Sequence, residues 1–324
     1  GRPMRPRTRG LLIAAFGTLG VTPDAVLLRS INADAVEPST LLFWRTFIVA
    51  NISSFLTVVL NGGLESTLSG CLSGPAHMAL GSALQMVMTI GFTTSILLAD
   101  TARALAFLSL NPLAAALLGW CVLHEHVPRR TIVALGIALC SVGIIIYPQL
   151  AAAPTASSWR TVAGEAVAFT TGISLASFLT CSRHAATHRP RVPMQAATAV
   201  GAFGCATLML AVHVVQGGSF ASLILSPIDF VLVGCDALAV ASAYVALAIA
   251  PKFITAAEVS LIFLGELVIA PLWVFLRFGE VPSAWTLWGG MLLVGTLAVH
   301  EVLGIHAGRA ALFKSLREPL VAPS

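Results

Sequence analysis

The stretch TAAEVSLIFLGELVIAPLWVFLRFGEVPS, residues 255–283, decides how this chain is read. Its apolar run is long enough to cross a bilayer as a helix, at about 1.5 Å of rise per residue. Yet it carries two carboxylates, Glu258 and Glu266, and a proline, Pro271. A charge inside hydrocarbon costs about 3 kcal/mol on insertion scales, so such acids turn inward, towards partners or water. Glu258 falls near one end of the run and Glu266 near its middle. On a continuous helix they are about 12 Å apart and share one broad face. Pro271 has no N–H for the carbonyl of Leu267, which leaves an acceptor beside Glu266. A carboxylate next to a spare carbonyl suits a proton, a cation or an amine. The plainer reading is a snorkelling end residue together with a buried structural pair.

A second stretch, TARALAFLSLNPLAAALLGWCVLHEHVPRR from Thr101, repeats this pattern. Both open on Thr-Ala, hold a proline in an apolar run, carry a Trp near its end, and close on Glu, Val and Pro. A further apolar run follows each, with Gly136 matching Gly290.

Around these two stretches the chain of 324 residues is 57% hydrophobic and 10% charged. A water-soluble surface needs about 25% charged residues, so a soluble domain does not fit. The long continuous runs disfavour a β-barrel, which alternates with period two. We read an all-α membrane protein with ten transmembrane helices, at residues 10–31, 39–61, 76–98, 101–123, 130–148, 161–182, 194–215, 227–250, 254–278 and 284–304. They form two five-helix repeats, 10–148 and 161–304, followed by a tail, 305–324, that is expected to be cytoplasmic. Five spans per half is an odd number, so the repeats are inverted relative to each other, as in many secondary transporters.

Lys and Arg placement sets the expected direction. With the N-terminus inside, the inner segments hold 13 basic residues, among them Arg7, Arg130, Arg183 and Lys252, against four outside: Arg29, Arg103, Arg160 and Arg277. Both termini are thus expected in the cytoplasm, with the chain in the cell membrane. The basic opening GRPMRPRTRG is read as a flank of the first span rather than a cleaved signal. The net charge of +4 does not point to nucleic acid, because the positive residues lie at the ends and in short loops. The six cysteines are scattered without a C-x-x-C pair and read as small buried hydrophobes.

Ten spans in two halves, the units ending in HEHVPRR and GEVPS, the run LLFWRTFIVA in span two, and SLIFLGELVIAPLWVFLRFGEVP in span nine resemble the EamA-domain transporters of the drug/metabolite transporter superfamily. The resemblance covers nearly the whole chain. It implies secondary-active transport by alternating access, without a cofactor, of small polar or amphipathic metabolites such as amino acids, amines or organic acids. Export is the expected direction. The beginning of span one, TPDAVLLR, departs from the Trp-Gly or Trp-Ser start common in that superfamily.

The candidate substrate or coupling-ion residues are Glu266, Glu258, Asn111, Asp236, Tyr244 and Gln85. Asn111 precedes Pro112 in span four and corresponds to the Gly265–Glu266 region of span nine. Asp24 in span one and Arg45 in span two lie at similar depth, where an ion pair neutralises both; they are read as a gate or as a structural pair. Arg29 is a rival partner for Asp24. Pro23 makes span one a bent helix. His213 and His300 read as hydrogen-bonded packing residues, and Trp120, Trp273, Trp285 and Trp288 as an interfacial belt.

No metal-ligand pattern and no Walker A, G-x-S-x-G or H-E-x-x-H motif occurs, so an enzyme is not expected. The expected partners are a small-molecule substrate and the lipid bilayer, with the chain as monomer or homodimer. Rival readings are an organellar-type metabolite or nucleotide-sugar antiporter of the same fold, a membrane-embedded enzyme, and a noncatalytic assembly subunit.

Overall fold

The structure, a computed structural model, describes residues 5–31, 36–98, 107–151, 159–279 and 281–317. Among these residues the regular structure is helical throughout. The α-helices are α1 (Pro6–Val21), α2 (Asp24–Arg29), α3 (Pro38–Leu60), α4 (Leu64–Leu72), α5 (Pro75–Leu98), α6 (Asn111–Leu123), α7 (Arg129–Ala151), α8 (Trp159–His188), α9 (Met194–Val215), α10 (Pro227–Ile249), α11 (Ala256–Phe263), α12 (Glu266–Phe278) and α13 (Ala284–Arg317).

Eight segments are long and apolar enough to cross a membrane by length and composition, and α6 is a shorter apolar helix. Large apolar side chains such as Phe16, Phe55, Trp120 and Leu276 lie exposed on their outer faces. In water such a surface would aggregate; in hydrocarbon it is solvated, and helices satisfy their own backbone polar groups there. The chain is an all-α membrane protein.

The helices approach closely because small residues stand at their contacts. On α10, Ala237, Val240 and Ala241 meet Val49 and Ala50 of α3 and Ala202 of α9. On α8, Leu175, Phe178 and Leu179 form a second core with Met88 of α5, Ala115 of α6 and Val259 of α11. On α13, Gly289 lies so near α7 that an added Cβ would sit 2.7 Å from the Ser141 carbonyl.

The main pairings are α1 with α10 and α11, α8 with α5 and α6, α3 with α10, α9 with α5, α3 with α9, α6 with α11, α7 with α13, and α10 with α9 and α2.

Several elements depart from the sequence reading. The connection after α3, expected as a loop, contains α4. Its Leu64, Leu68 and Leu72 lie exposed on one stripe, while Thr67 and Gly70 are buried. The expected spans six and ten are longer, running to His188 and Arg317. Thr101 and the rest of 101–106, which open the expected fourth span, and Glu280 lie outside the described residues.

The largest correction concerns span nine, which is not one continuous helix. Its α-helical bonding is interrupted at Leu264–Gly265, where Gly265 N–H donates to the Ile262 carbonyl and Leu267 N–H to the Leu264 carbonyl, at 2.9 and 3.1 Å. These are i→i+3 bonds, the tighter 3-10 step, placed where glycine costs a helix about 1 kcal/mol. Pro271 sits within α12 instead of marking the interruption. The interruption also means that Glu258 and Glu266 belong to different helices. The same step occurs before α6, where Leu110 N–H donates to the Phe107 carbonyl at 3.3 Å. Pro112 stands in the first turn of α6, where its missing N–H costs nothing, so it opens a helix rather than kinking one. Leu110 and Leu264 each lie nine residues after the Thr that opens their motif.

Candidate functional site

Four chain segments meet inside the bundle. The first span breaks at Thr22–Pro23, between α1 and α2, and Asp24 is the first residue of α2. The ninth is interrupted at Leu264–Gly265, and Glu266 is the first residue of α12. The second half of α12 is tied to the first break: the indole Nε1 of Trp273 donates to Thr22 Oγ1 at 2.9 Å. Trp273 therefore does more than line an interfacial belt. Between these breaks α3 and α10 supply the remaining side chains.

Arg45 of α3 is the anchor. Its Nη2 donates to Asp24 Oδ1 at 2.8 Å, and its Nε to Asp236 Oδ2 of α10 at 2.7 Å. Arg45 is 5% exposed, Asp236 0% and Asp24 8%, so the triad is held away from water. Buried charges persist only when paired and hydrogen-bonded, and here one guanidinium fork is divided between two helices. Arg29, the rival partner for Asp24, has a side chain outside the described residues.

Two more groups complete the cluster. Tyr244, two turns along α10 from Asp236, lies within electrostatic reach of Arg45, Asp24, Asp236 and Glu266. Glu266 stands close enough to Asp24 for their charges to interact. Both are half-buried, and neither side chain makes a hydrogen bond or ion pair among the described residues. The Oδ1 atom of Asp236 is also buried without a partner.

The charge balance follows from this. Among the described residues one cation, Arg45, is shared by Asp24 and Asp236, and a third carboxyl group, Glu266, lies within electrostatic reach of Asp24. In a low-dielectric interior three carboxylates cannot share a single guanidinium at no cost. The site therefore has room for protons or for an added cation, and the unspent acceptors of Asp236 and Glu266 are where they would go. An anion would find Arg45 already occupied on both sides.

The other sequence candidates stand apart from this cluster. Glu258 caps α11: Thr255 Oγ1 accepts from the Glu258 N–H at 3.2 Å, and Glu258 Oε2 accepts from the Thr255 N–H at 3.2 Å. Its other oxygen takes Arg7 Nη2 at 3.0 Å, with Arg130 Nη2 at 3.8 Å. Nearby, Arg183 bonds Glu125 at 2.7 Å and the Pro251 carbonyl at 3.1 Å. At this end of the bundle ion pairs join α11 to α1 and α7, and α8 to the connection between α6 and α7. Gln85 is buried between α5 and α9, where it donates to Thr89 Oγ1 at 3.3 Å and leaves Oε1 without a partner. Asn111 is buried at the start of α6, with Oδ1 likewise unpartnered. No hydrogen bond joins Gln85 or Asn111 to Arg45, Asp236 or Glu266 among the described residues.

The sequence did not point to Arg7 and Arg130 as partners of Glu258. The only signal for them was the basic run at the start of the chain and the Arg-Arg pair of HEHVPRR.

No family model matches this chain, and no curated protein matches it. Among solved structures, one described only as a crystal structure of protein aligns with 92% of this chain and 98% of its own length. Its TM-score is 0.73 at 17% identity. At that identity the likeness bears on the fold alone.

Proposed function

We propose that this chain is a secondary-active transporter of the EamA-domain, drug/metabolite type, with ten spans in two inverted five-helix repeats. It moves small polar or amphipathic metabolites by alternating access, in the export direction, coupled to protons. The helix pairings support the repeat. Exchanging α1, α3, α5, α6 and α7 for α8, α9, α10, α11–α12 and α13 carries most of the main pairings onto another of the set or onto itself; α9 with α10 has no counterpart of similar extent. The matched 3-10 steps before Asn111 and Glu266 support it as well. The distribution of Lys and Arg favours a cytoplasmic location for the Glu258 end and both termini.

One observation carries the functional reading: Glu266, in mid-span, makes no hydrogen bond or ion pair among the described residues, while the nearby carboxylates Asp24 and Asp236 are both tied to Arg45. A carboxyl left over in this way can take and release a proton or an ammonium group as the bundle rocks. Because Arg45 is spent on two carboxylates, amines and zwitterions fit the site better than phosphate esters or nucleotide sugars.

The test is uptake by the purified chain in proteoliposomes, with and without an imposed pH gradient, for a panel of amines, amino acids and organic acids. Wild-type protein should accelerate the flux of at least one amine or amino acid and respond to the gradient. Glu266→Gln should abolish the response. Unchanged flux and pH dependence in that variant would remove Glu266 from the coupling mechanism.

A further inference from the structure

A cavity of about 410 Å3 lies between α3, α5 and α9, and its mouth is at the end of the bundle opposite Glu258. That volume is in the range of about 300–1,000 Å3 used by small-molecule sites. Its wall mixes the hydroxyls of Thr46, Thr89, Thr93 and Thr94 with apolar Leu42 and Val212. Glu37 stands at the mouth with its side chain 59% exposed, and reaches His213 Nδ1 at 3.3 Å. His213 itself is 1% exposed.

The contacts of the ring fix its proton. His213 Nε2 lies 3.2 Å from the Ser219 carbonyl, which can only accept. It also lies 3.0 Å from Ser222 Oγ, whose own hydroxyl donates to that same carbonyl at 2.7 Å. Nε2 therefore carries a hydrogen. In the neutral ring Nδ1 then bears a lone pair, and Ser39 Oγ, at 3.2 Å, can donate to it. The Glu37 carboxylate has no hydrogen to offer that lone pair. It bonds Nδ1 only when the ring is doubly protonated. Among the described residues, Glu37 is the charged group that contacts the ring; Ser39, Ser219 and Ser222 are its other polar neighbours.

We propose that Glu37 and His213 form an exchange site at the mouth of this cavity, where an organic ammonium ion on Glu37 and a proton on His213 exclude each other. With the ring charged, Glu37 is engaged by an internal ion pair. With the ring neutral, Ser39 satisfies Nδ1 and Glu37 is available to a cation from outside. A metal ion needs several oxygen ligands and finds one acid here. An alkylammonium ion fits instead: its head meets Glu37, and its body lies among threonine hydroxyls and apolar side chains. The site does not require the central carboxylates, so it stands or falls separately from them.

The probe is butylammonium, titrated calorimetrically into the full chain in nanodiscs at about pH 8 and about pH 5, on either side of the range where histidine changes charge. Wild-type affinity should fall about fivefold or more at the lower pH. Glu37→Gln should weaken binding about tenfold at the higher pH and flatten the dependence. His213→Gln should bind equally at both pH values. Ser39→Ala, which removes the donor to the neutral ring, should weaken binding at the higher pH and serves if His213→Gln does not fold. Glu37→Gln binding as wild type does, full pH dependence in His213→Gln, or Ser39→Ala binding indistinguishable from wild type would each overturn the proposal. Binding lost in Glu266→Gln but intact in Glu37→Gln would place the cation at the central cluster and overturn it too.

Discussion

Glu258 and Glu266 stand eight residues apart in one apolar stretch, and the fold treats them in opposite ways. Glu258 is 7% exposed, and both its oxygens are engaged: one by the Thr255 backbone in a reciprocal capping box, the other by Arg7. Glu266 opens the next helix and makes no hydrogen bond or ion pair among the described residues. Each acid carries a cost of leaving water, Glu258 as a buried side chain and Glu266 as a half-buried one. For Glu258 that cost is offset locally by a cap and two arginines. For Glu266 nothing in the described contacts offsets it, and its nearest charged neighbour is another acid, Asp24. The difference separates an acid that holds a structure together from one that the structure keeps for something else. Both lie at helix N-termini, so the helix dipole alone does not separate them; the arginines do.

The strongest way to break the contrast is to remove the cation that keeps the centre from being worse. Arg45→Met leaves Asp24 and Asp236 buried without a partner, and deleting one member of a buried pair costs about 3–5 kcal/mol. Thermal unfolding in detergent should show a large drop in midpoint, or the variant should fail to accumulate folded. Adding Asp24→Asn and Asp236→Asn to Arg45→Met should recover part of the loss. A triple variant no better than the single one would mean that Arg45 acts through its shape and not its charge.

Next in size is the Glu258 end of the bundle. Glu258→Ala removes the N3 half of the capping box and the Arg7 ion pair together, a loss of about 1–2 kcal/mol. Unfolding of the variant should show this, with solute binding at equilibrium little changed. Arg7→Met should cost less, and its effect should be non-additive with Glu258→Ala in a double-mutant cycle, because the two side chains share one bond.

How much of this was legible in the sequence follows from what sets each contact. The helices were, because their apolar runs exceed the thickness of a bilayer. So was the shared depth of Asp24 and Arg45, because the two spans run in opposite directions from one short loop. Asp236 was seen only as a minor candidate. It lies 191 residues from Arg45 in the chain, and no local pattern tells which residue of a distant helix faces the guanidinium. The break in span nine was not read from the sequence for a different reason. Proline is the usual signal for a break, yet Pro112 sits in a first turn and α12 continues through Pro271, and the 3-10 step falls at Gly265 in one case and on Ser109–Leu110 in the other. His213 was read as a packing residue, since a sequence does not show which atoms surround a ring. Its tautomer follows only from a carbonyl six residues on, placed by the loop after α9.

The smallest effects on stability sharpen the comparison most. Glu258→Gln keeps a side chain that can complete the capping box and loses only its charge towards Arg7 and Arg130, so the cost should be about 0.5–1 kcal/mol. Glu266→Gln gives up no bond, because the described structure contains none to lose, and removes a carboxylate that faces another. Its unfolding midpoint should match or slightly exceed that of the wild type, within about 0.5 kcal/mol. The prediction is therefore a crossing of two readouts. Glu258→Gln should lower stability and leave the pH response of amine flux in place; Glu266→Gln should leave stability in place and cut that response about tenfold or more. If both substitutions moved the two readouts together, the distinction between a structural and a held-over carboxylate would fail, and Glu266 would be one more buried acid whose partner lies outside the described residues.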